Sequence, residues 1–133
     1  MKIIDVEGIG PVYREKLVAA GIRTTAGLLK AAANRKGRVE LGAKTGISDQ
    51  LILEWVNHAD LMRVKGVGSE FSDLLEAAGV DTVKELRNRN PHNLHEAIVN
   101  INAEKQLVRR VPSLTEVQSW IEHAKLLDPL ITY

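Results

Sequence analysis

Two Gly-x-Gly segments are the residues in this sequence with the clearest capacity to bind a ligand. The segment Val64–Gly68 is preceded 58 positions earlier by Val6–Gly10, and the match continues without a gap as far as Leu28. Glycine tolerates positive φ angles and leaves no side chain between the backbone and a ligand. The helix predicted after each segment begins with N–H groups that lack intrahelical partners, at the positive end of its dipole. Together these features suit a phosphate group.

We call Val6–Gly10 the first glycine turn and Val64–Gly68 the second glycine turn. The elements that position these two turns are predicted to be helices. Apolar residues make up 44% of the chain, helix formers dominate, and no run shows the strict alternation of a strand. We therefore expect an all-α domain of nine or ten short helices with one continuous core. It spans residues 1–133, with an internal repeat at 6–61 and 64–127. Gly21 and Gly79 are expected to end the helices after the turns in left-handed conformation.

Capping residues and a second repeated pattern extend the match. Thr24 is predicted to cap a short helix, and Thr82 with Glu85, like Ser113 with Glu116, has the spacing of a capping box. The long helix that begins near Ser48 and the last helix match at a shift of 65 rather than 58. This match places Trp55 opposite Trp120 and His58 opposite His123, and the seven extra residues fall around Ala103–Arg110. The tryptophans are best interpreted as core anchors.

Charge and composition argue against tight DNA binding, metal binding, catalysis and membrane insertion. The net charge is only +1, whereas a dedicated non-specific DNA-binding protein usually has a much stronger basic bias. The chain has no Cys, and two His on different helices form an incomplete metal site, so no metal site is expected. No clustered carboxylates or nucleophile–base spacing indicates catalysis, so we do not expect an enzyme. No apolar run is long enough for a membrane span, and we expect a cytoplasmic protein without membrane contact.

The two glycine turns, each followed by an amphipathic helix, resemble the helix-hairpin-helix superfamily. The layout of the whole chain is similar to a bacterial family of tandem helix-hairpin-helix proteins known mainly as an uncharacterised domain, and the segments Asn57–Gly68 and Leu74–Val83 carry that resemblance. The resemblance implies a bundle of short helices of the SAM-like type, whose hairpin N–H groups contact phosphates across a minor groove without reading sequence. It implies no cofactor except a monovalent cation at a hairpin. The Gly-Pro-Asp segment of related base-excision glycosylases is missing.

The candidate nucleic-acid-binding residues fall in three groups, with the second glycine turn favoured. Arg63 and Lys65 flank that turn, whereas the matching places beside the first turn hold Asp5 and Glu7, which would repel phosphates. A basic turn at 35–38 is either a phosphate patch or a solvated loop. The groups are Arg63, Lys65, Gly66, Val67, Gly68 and Ser69; Gly8, Ile9, Gly10 and Arg14; and Arg35, Lys36 and Arg38.

The expected function is therefore weak, sequence-independent binding to the phosphates of DNA by a non-catalytic module. The alternative is a protein–protein adaptor or dimerisation module that uses the same fold without contact to DNA. The sequence leaves open whether the chain is a monomer or a homodimer, and whether the terminal elements are exchanged between two chains.

Overall fold

The protein is all-α. A computed structural model describes all 133 residues and contains eight α-helices preceded by a short 3-10 helix at Ile3–Asp5. The α-helices are α1 Pro11–Ala19, α2 Thr25–Ala32, α3 Arg35–Thr45, α4 Asp49–Leu61, α5 Ser69–Ala77, α6 Val83–Leu86, α7 Pro91–Lys105 and α8 Leu114–Ala124. The eight α-helices are fewer than the nine or ten short helices expected, and the 3-10 helix brings the number of helical elements to nine. None of these helices has the length and apolar character needed to cross a membrane.

The chain divides into two compact units. The first unit contains residues 1–60 and 130–133, and the second unit contains residues 61–129. The boundary between residues 60 and 61 lies within one residue of the predicted end of the first repeat at residue 61. A single core shared by the two repeats stays a prediction.

The three residues predicted to cap helices, Thr24, Thr82 and Ser113, all do so. The hydroxyl oxygen of Thr24 accepts a hydrogen bond from the Gly27 N–H at 2.9 Å. Ser113 and Glu116 form the predicted capping box. Thr82 accepts from the N–H of Glu85 at 3.3 Å, but the carboxylate of Glu85 accepts from the N–H of Asp81. The predicted capping box at Thr82 is therefore only half present, because the Glu85 side chain reaches one residue further back.

Left-handed glycines end the helices that follow the two glycine turns. Gly21 has a φ of +88° and Gly79 a φ of +93°, which confirms the predicted conformation. In each case the next residue turns its N–H back to the helix. The N–H of Ile22 donates to the carbonyl of Leu17 at 2.9 Å, and the N–H of Val80 donates to the carbonyl of Leu75 at 2.9 Å.

In the first unit, the N-terminal segment lies along the chain that leads into α2. The N–H of Ile3 donates to the carbonyl of Arg23, and the N–H of Thr25 donates to the carbonyl of Met1, both at 3.0 Å. Helix α2 packs against α3 at a crossing that requires glycine. A β-carbon at Gly37 would overlap the carbonyl oxygen of Ala31, so no larger residue fits there.

The second unit has a continuous apolar core. Helix α5 packs on α7, and both α6 and α7 pack on α8. The core includes Leu75, Leu94, Ile98 and Trp120, all of them buried. Trp120 is only 2% exposed and Trp55 of the first unit 1%, so the prediction that the two tryptophans are core anchors is confirmed.

Candidate nucleic-acid interface

The second glycine turn is a tight connection between α4 and α5. The N–H of Val64 donates to the carbonyl of Leu61 at 3.1 Å, and the N–H of Val67 donates to the carbonyl of Val64 at 3.0 Å. Gly66 lies between these two bonds with a φ of +92°, a conformation that strongly favours glycine. The buried side chain of Val67 anchors the turn in the core, while Gly66 remains exposed.

The first glycine turn has the same backbone. Val6 donates to the carbonyl of Ile3 at 3.2 Å, and Ile9 donates to the carbonyl of Val6 at 3.1 Å. Gly8 has a φ of +90°, and Ile9 is buried as its counterpart is. The repeat found in the sequence is therefore also a repeat of hydrogen bonds and backbone angles.

Both glycine turns lead into helices that no side chain caps. Gly10 and Gly68 are the N-cap residues of α1 and α5, each in extended conformation and without a side-chain oxygen for the first-turn N–H groups. The other six helices have a side-chain cap. The capping residues are Thr24, Asn34, Ser48, Thr82, Asn90 and Ser113. The starts of α1 and α5 therefore have the positive end of the helix dipole without a capping side chain from the N-cap residue.

The two uncapped helix starts are not equivalent in donors or in charge. The first residue of α1 is Pro11, which has no N–H, whereas Ser69 opens α5. Helix α5 has Glu70 in its first turn, and its carboxylate opposes an incoming anion. The helix after the second turn thus has one more backbone N–H group in its first turn than the helix after the first turn, and it also has the acidic Glu70 there.

The two cations beside the second glycine turn have different roles. Lys65 is exposed, and its N–H donates to Nδ1 of His123 at 2.8 Å, so the backbone is held while the ammonium group faces solvent. Arg63 is half-buried and donates from Nη1 to the carbonyl of Asp128 at 2.9 Å. Arg63 therefore ties the segment after α8 to the turn, and Lys65 is the cation best placed for a ligand.

The surroundings of the first glycine turn are acidic and apolar. The carboxylate of Asp5 accepts from the N–H of Lys2 at 3.1 Å, and Glu7 is exposed. Val12, in the first turn of α1, is 67% exposed. Arg14 is exposed one turn into the same helix and is the only cation among the candidate residues of this turn.

The third candidate group is helical rather than a loop. Asn34 caps α3 by accepting from the N–H of Gly37 at 2.8 Å, so Arg35 and Lys36 lie exposed in the first helical turn. The predicted basic turn is therefore wrong as a description of the backbone. The reason is local: the Asn34 side chain caps the helix, so α3 already begins at Arg35.

Arg38 of that group is buried, at 4% exposure. Its guanidinium donates to the carbonyls of Ala32 at 3.2 Å, Ala33 at 3.0 Å and Thr132 at 2.6 Å. Burial lowers the pKa of Arg38, and the nearby Arg35 acts in the same direction. These bonds join the end of α2 to the segment that contains Thr132, and they leave Arg38 little surface for a ligand.

The structure thus places one candidate group in a single short segment, which is exposed at Lys65 and Gly66 and buried at Val67. Arg63 to Ser69 form a single turn in the second unit, whereas the other two groups belong to the first unit. Sequence reasoning missed the contribution of His123, whose ring nitrogen holds the backbone of Lys65. The match of His58 with His123 in the two repeats indicated a shared role for these residues, but it did not predict a hydrogen bond to the turn.

Comparison with known proteins gives a family and no structural relative. No solved structure matches the chain. A family model matches residues 7–127, which include the second glycine turn, the first glycine turn except Val6, and all eight α-helices. The chain therefore belongs to the family described as a domain of unknown function, DUF4332.

Proposed function

We propose that the chain is a non-catalytic nucleic-acid-binding module built from two helix-hairpin-helix units. In this proposal the second glycine turn contacts backbone phosphates and does not read the base sequence. The shared hydrogen bonds and positive φ angles of Gly8 and Gly66 support the assignment of two equivalent hairpins.

One observation carries the proposal. Lys65 is exposed and lies three residues before Gly68, the N-cap of α5, which has no side chain to accept from the first-turn N–H groups. A phosphate at this place would accept hydrogen bonds from the backbone and face both the helix dipole and a lysine. The carboxylate of Glu70 reduces this attraction without removing the donors.

The second turn is also held in one shape before a ligand arrives. The bond from Lys65 N–H to His123 and the buried side chain of Val67 restrain both sides of Gly66. A restrained backbone loses less conformational entropy on binding than a flexible loop. Few contacts and a net charge of +1 nevertheless favour weak binding.

A protein–protein adaptor is the second candidate, and the first glycine turn favours it. Val12 is 67% exposed and Ile4 39% exposed, and the acidic Asp5 and Glu7, between them in the sequence, are also exposed. Apolar side chains rimmed by charge are typical of contacts with proteins rather than with phosphates. This candidate needs no role for Lys65.

The two candidates differ in their dependence on salt. We would titrate the protein against duplex, single-stranded and branched DNA by fluorescence anisotropy at low ionic strength and then repeat the titration as salt increases. Phosphate binding predicts that log K falls linearly with log salt, with a slope of about −0.9 for each duplex phosphate neutralised. Absence of binding to all three DNAs at low salt would reject the proposal in favour of the adaptor.

A further inference from the structure

The connector between α7 and α8 follows a defined path in the second unit. Gln106 ends α7 in left-handed conformation, with a φ of +51°. The buried Asn102 then bonds both backbone groups of the buried Val108: Nδ2 donates to its carbonyl at 3.1 Å, and Oδ1 accepts from its N–H at 3.0 Å. Because these bonds are shielded from water, they hold the connector in one course. This region contains the seven residues that distinguish the second repeat from the first.

The connector places Arg110 over an aromatic ring. The Cζ atom of Arg110 lies 5.6 Å from the ring centroid of Phe71. The guanidinium also forms two bonds with Glu116, from Nη1 to Oε1 at 2.6 Å and from Nη2 to Oε2 at 3.1 Å. This fork sets the plane of the guanidinium, while 65% of the Arg110 side chain remains exposed.

Phe71 connects Arg110 to the second glycine turn. Its ring packs on Trp120, with centroids 5.2 Å apart and planes at 48°. Trp120 in turn lies against Gly66, where a β-carbon would be 3.1 Å from Nε1. The three side chains Arg110, Phe71 and Trp120 therefore form a column of planar groups that ends at the turn proposed to hold a phosphate.

The first unit has only part of this column. Tyr13 packs on Trp55 with centroids 5.0 Å apart, as Phe71 packs on Trp120. The first repeat lacks the seven extra residues, so it has no equivalent of the connector that carries Arg110. The column is thus specific to the second unit, which also has the more basic glycine turn.

Arg110 is better suited to stack than to pair with a phosphate. The Glu116 carboxylate balances its charge, and the hydrogen bond with Arg110 lowers the pKa of that carboxyl to about 2, so it is ionised at neutral pH. A guanidinium plane that is oriented, exposed and backed by an aromatic ring is a surface on which nucleobases stack.

We propose that an unpaired base stacks on Arg110 while a neighbouring phosphate binds at the second glycine turn. The chain would then prefer single strands, overhangs or flaps to closed duplex, in which every base is covered by its neighbours. This inference rests on the proposed function and specifies the class of nucleic acid that the same site takes.

The chain offers a matched pair of variants for the test. Arg110→Lys keeps the charge but loses the planar group, and Arg109→Lys makes the same change at the adjacent exposed residue. Stacking of one base predicts that Arg110→Lys lowers affinity for a single strand by roughly fivefold to tenfold. Affinity for blunt duplex should not change, and Arg109→Lys should behave as wild type. Urea unfolding of each variant checks that the fold is retained.

A second measurement uses only the wild-type protein. A strand of abasic sugars keeps every phosphate but offers no base, so wild type should bind it as weakly as Arg110→Lys binds the normal strand. Equal affinity of wild type for normal and abasic strands would overturn the stacking proposal. Salt-sensitive duplex binding would then leave the phosphate proposal standing, whereas no binding to any of these nucleic acids at low salt would overturn both.

Discussion

The indole nitrogen of Trp120 lies against the backbone of Gly66, close enough that a β-carbon at position 66 would be 3.1 Å from it. Trp55 and Gly8 have the same relationship in the first unit, at 3.5 Å. Each tryptophan therefore supports the glycine of its own turn. The core anchor and the candidate ligand site are adjacent parts of one structure in each unit.

Replacing Gly66 with Ala should destabilise the second unit by about 1–3 kcal/mol. The φ of +92° strains any residue with a β-carbon, and the contact with Trp120 adds a steric cost. Gly68→Ala is the control, because that residue has a φ of −100° and no atom within 4 Å of its β-carbon position. Urea unfolding should show the larger loss for the first variant, because Gly68→Ala adds only the cost of a poorer N-cap residue. Equal losses for both would mean that the turn is not strained at Gly66.

Gly79→Ala and Gly21→Ala should each cost about 1 kcal/mol, and for a purely conformational reason. A β-carbon at Gly21 meets nothing within 4 Å, and one at Gly79 meets only Nη1 of Arg89 at 3.9 Å. The positive φ angle is then the only source of the expected loss of stability. Melting temperatures equal to or above that of wild type would contradict this account.

Charge reversal tests the proposal that the second glycine turn binds phosphate. One charge about 6 Å from a phosphate contributes roughly 0.7 kcal/mol at an effective dielectric of about 80, so reversing it changes affinity by about 1.4 kcal/mol, or tenfold. Lys65→Glu should therefore weaken DNA binding about tenfold, and Glu7→Lys should strengthen it. The double variant should recover much of the loss in an anisotropy titration.

The same titration can also show that the second glycine turn is not the phosphate site. If Lys65→Glu leaves a salt-sensitive affinity unchanged, the phosphate site must lie elsewhere. The exposed cations Arg35 and Lys36 at the start of α3 would be the next residues to change, with the buried Arg38 left intact to preserve the fold.

Stability should decrease in acid partly through Glu116. Hydrogen bonds from Arg110 and Ser113 lower the pKa of Glu116 from 4.5 to about 2 in the folded protein. A group with a depressed folded pKa stabilises the fold above its unfolded pKa, and the contribution is lost as pH falls from about 4.5 towards 2. The effect should be small because the pair is exposed. Urea unfolding at pH 6 and pH 3 should show a smaller decrease for Glu116→Gln than for wild type.

Removing the side chain that holds the connector should be costly. Asn102→Ala leaves the buried N–H and carbonyl of Val108 without their partner, at a cost of roughly 2 kcal/mol. The exposed Asn100 on the same helix provides the control, since its replacement by Ala should change stability by less than about 0.5 kcal/mol. Thermal unfolding of both variants gives the comparison, and similar melting temperatures would show that Asn102 does not restrain the connector.

Features set by local chemistry were predictable from the residues alone. Glycine at 21 and 79 predicted left-handed helix ends, and Ser113 with Glu116 predicted a capping box, because these structures depend on a few consecutive residues. The burial of Trp55 and Trp120 followed from the repeat of apolar positions. Membership of an all-α class followed in the same way from helix formers without alternation.

Features that depend on contacts between distant residues required the tertiary structure. Arg38 looked like part of an exposed basic turn, yet its guanidinium is buried and donates to the carbonyl of Thr132, 94 residues away. The N–H of Lys65 donates to His123, 58 residues away, and Arg110 lies over Phe71 at the end of a connector that Asn102 holds. In each case the partner lies beyond any local pattern, so packing and not composition decides which charge is available to a ligand.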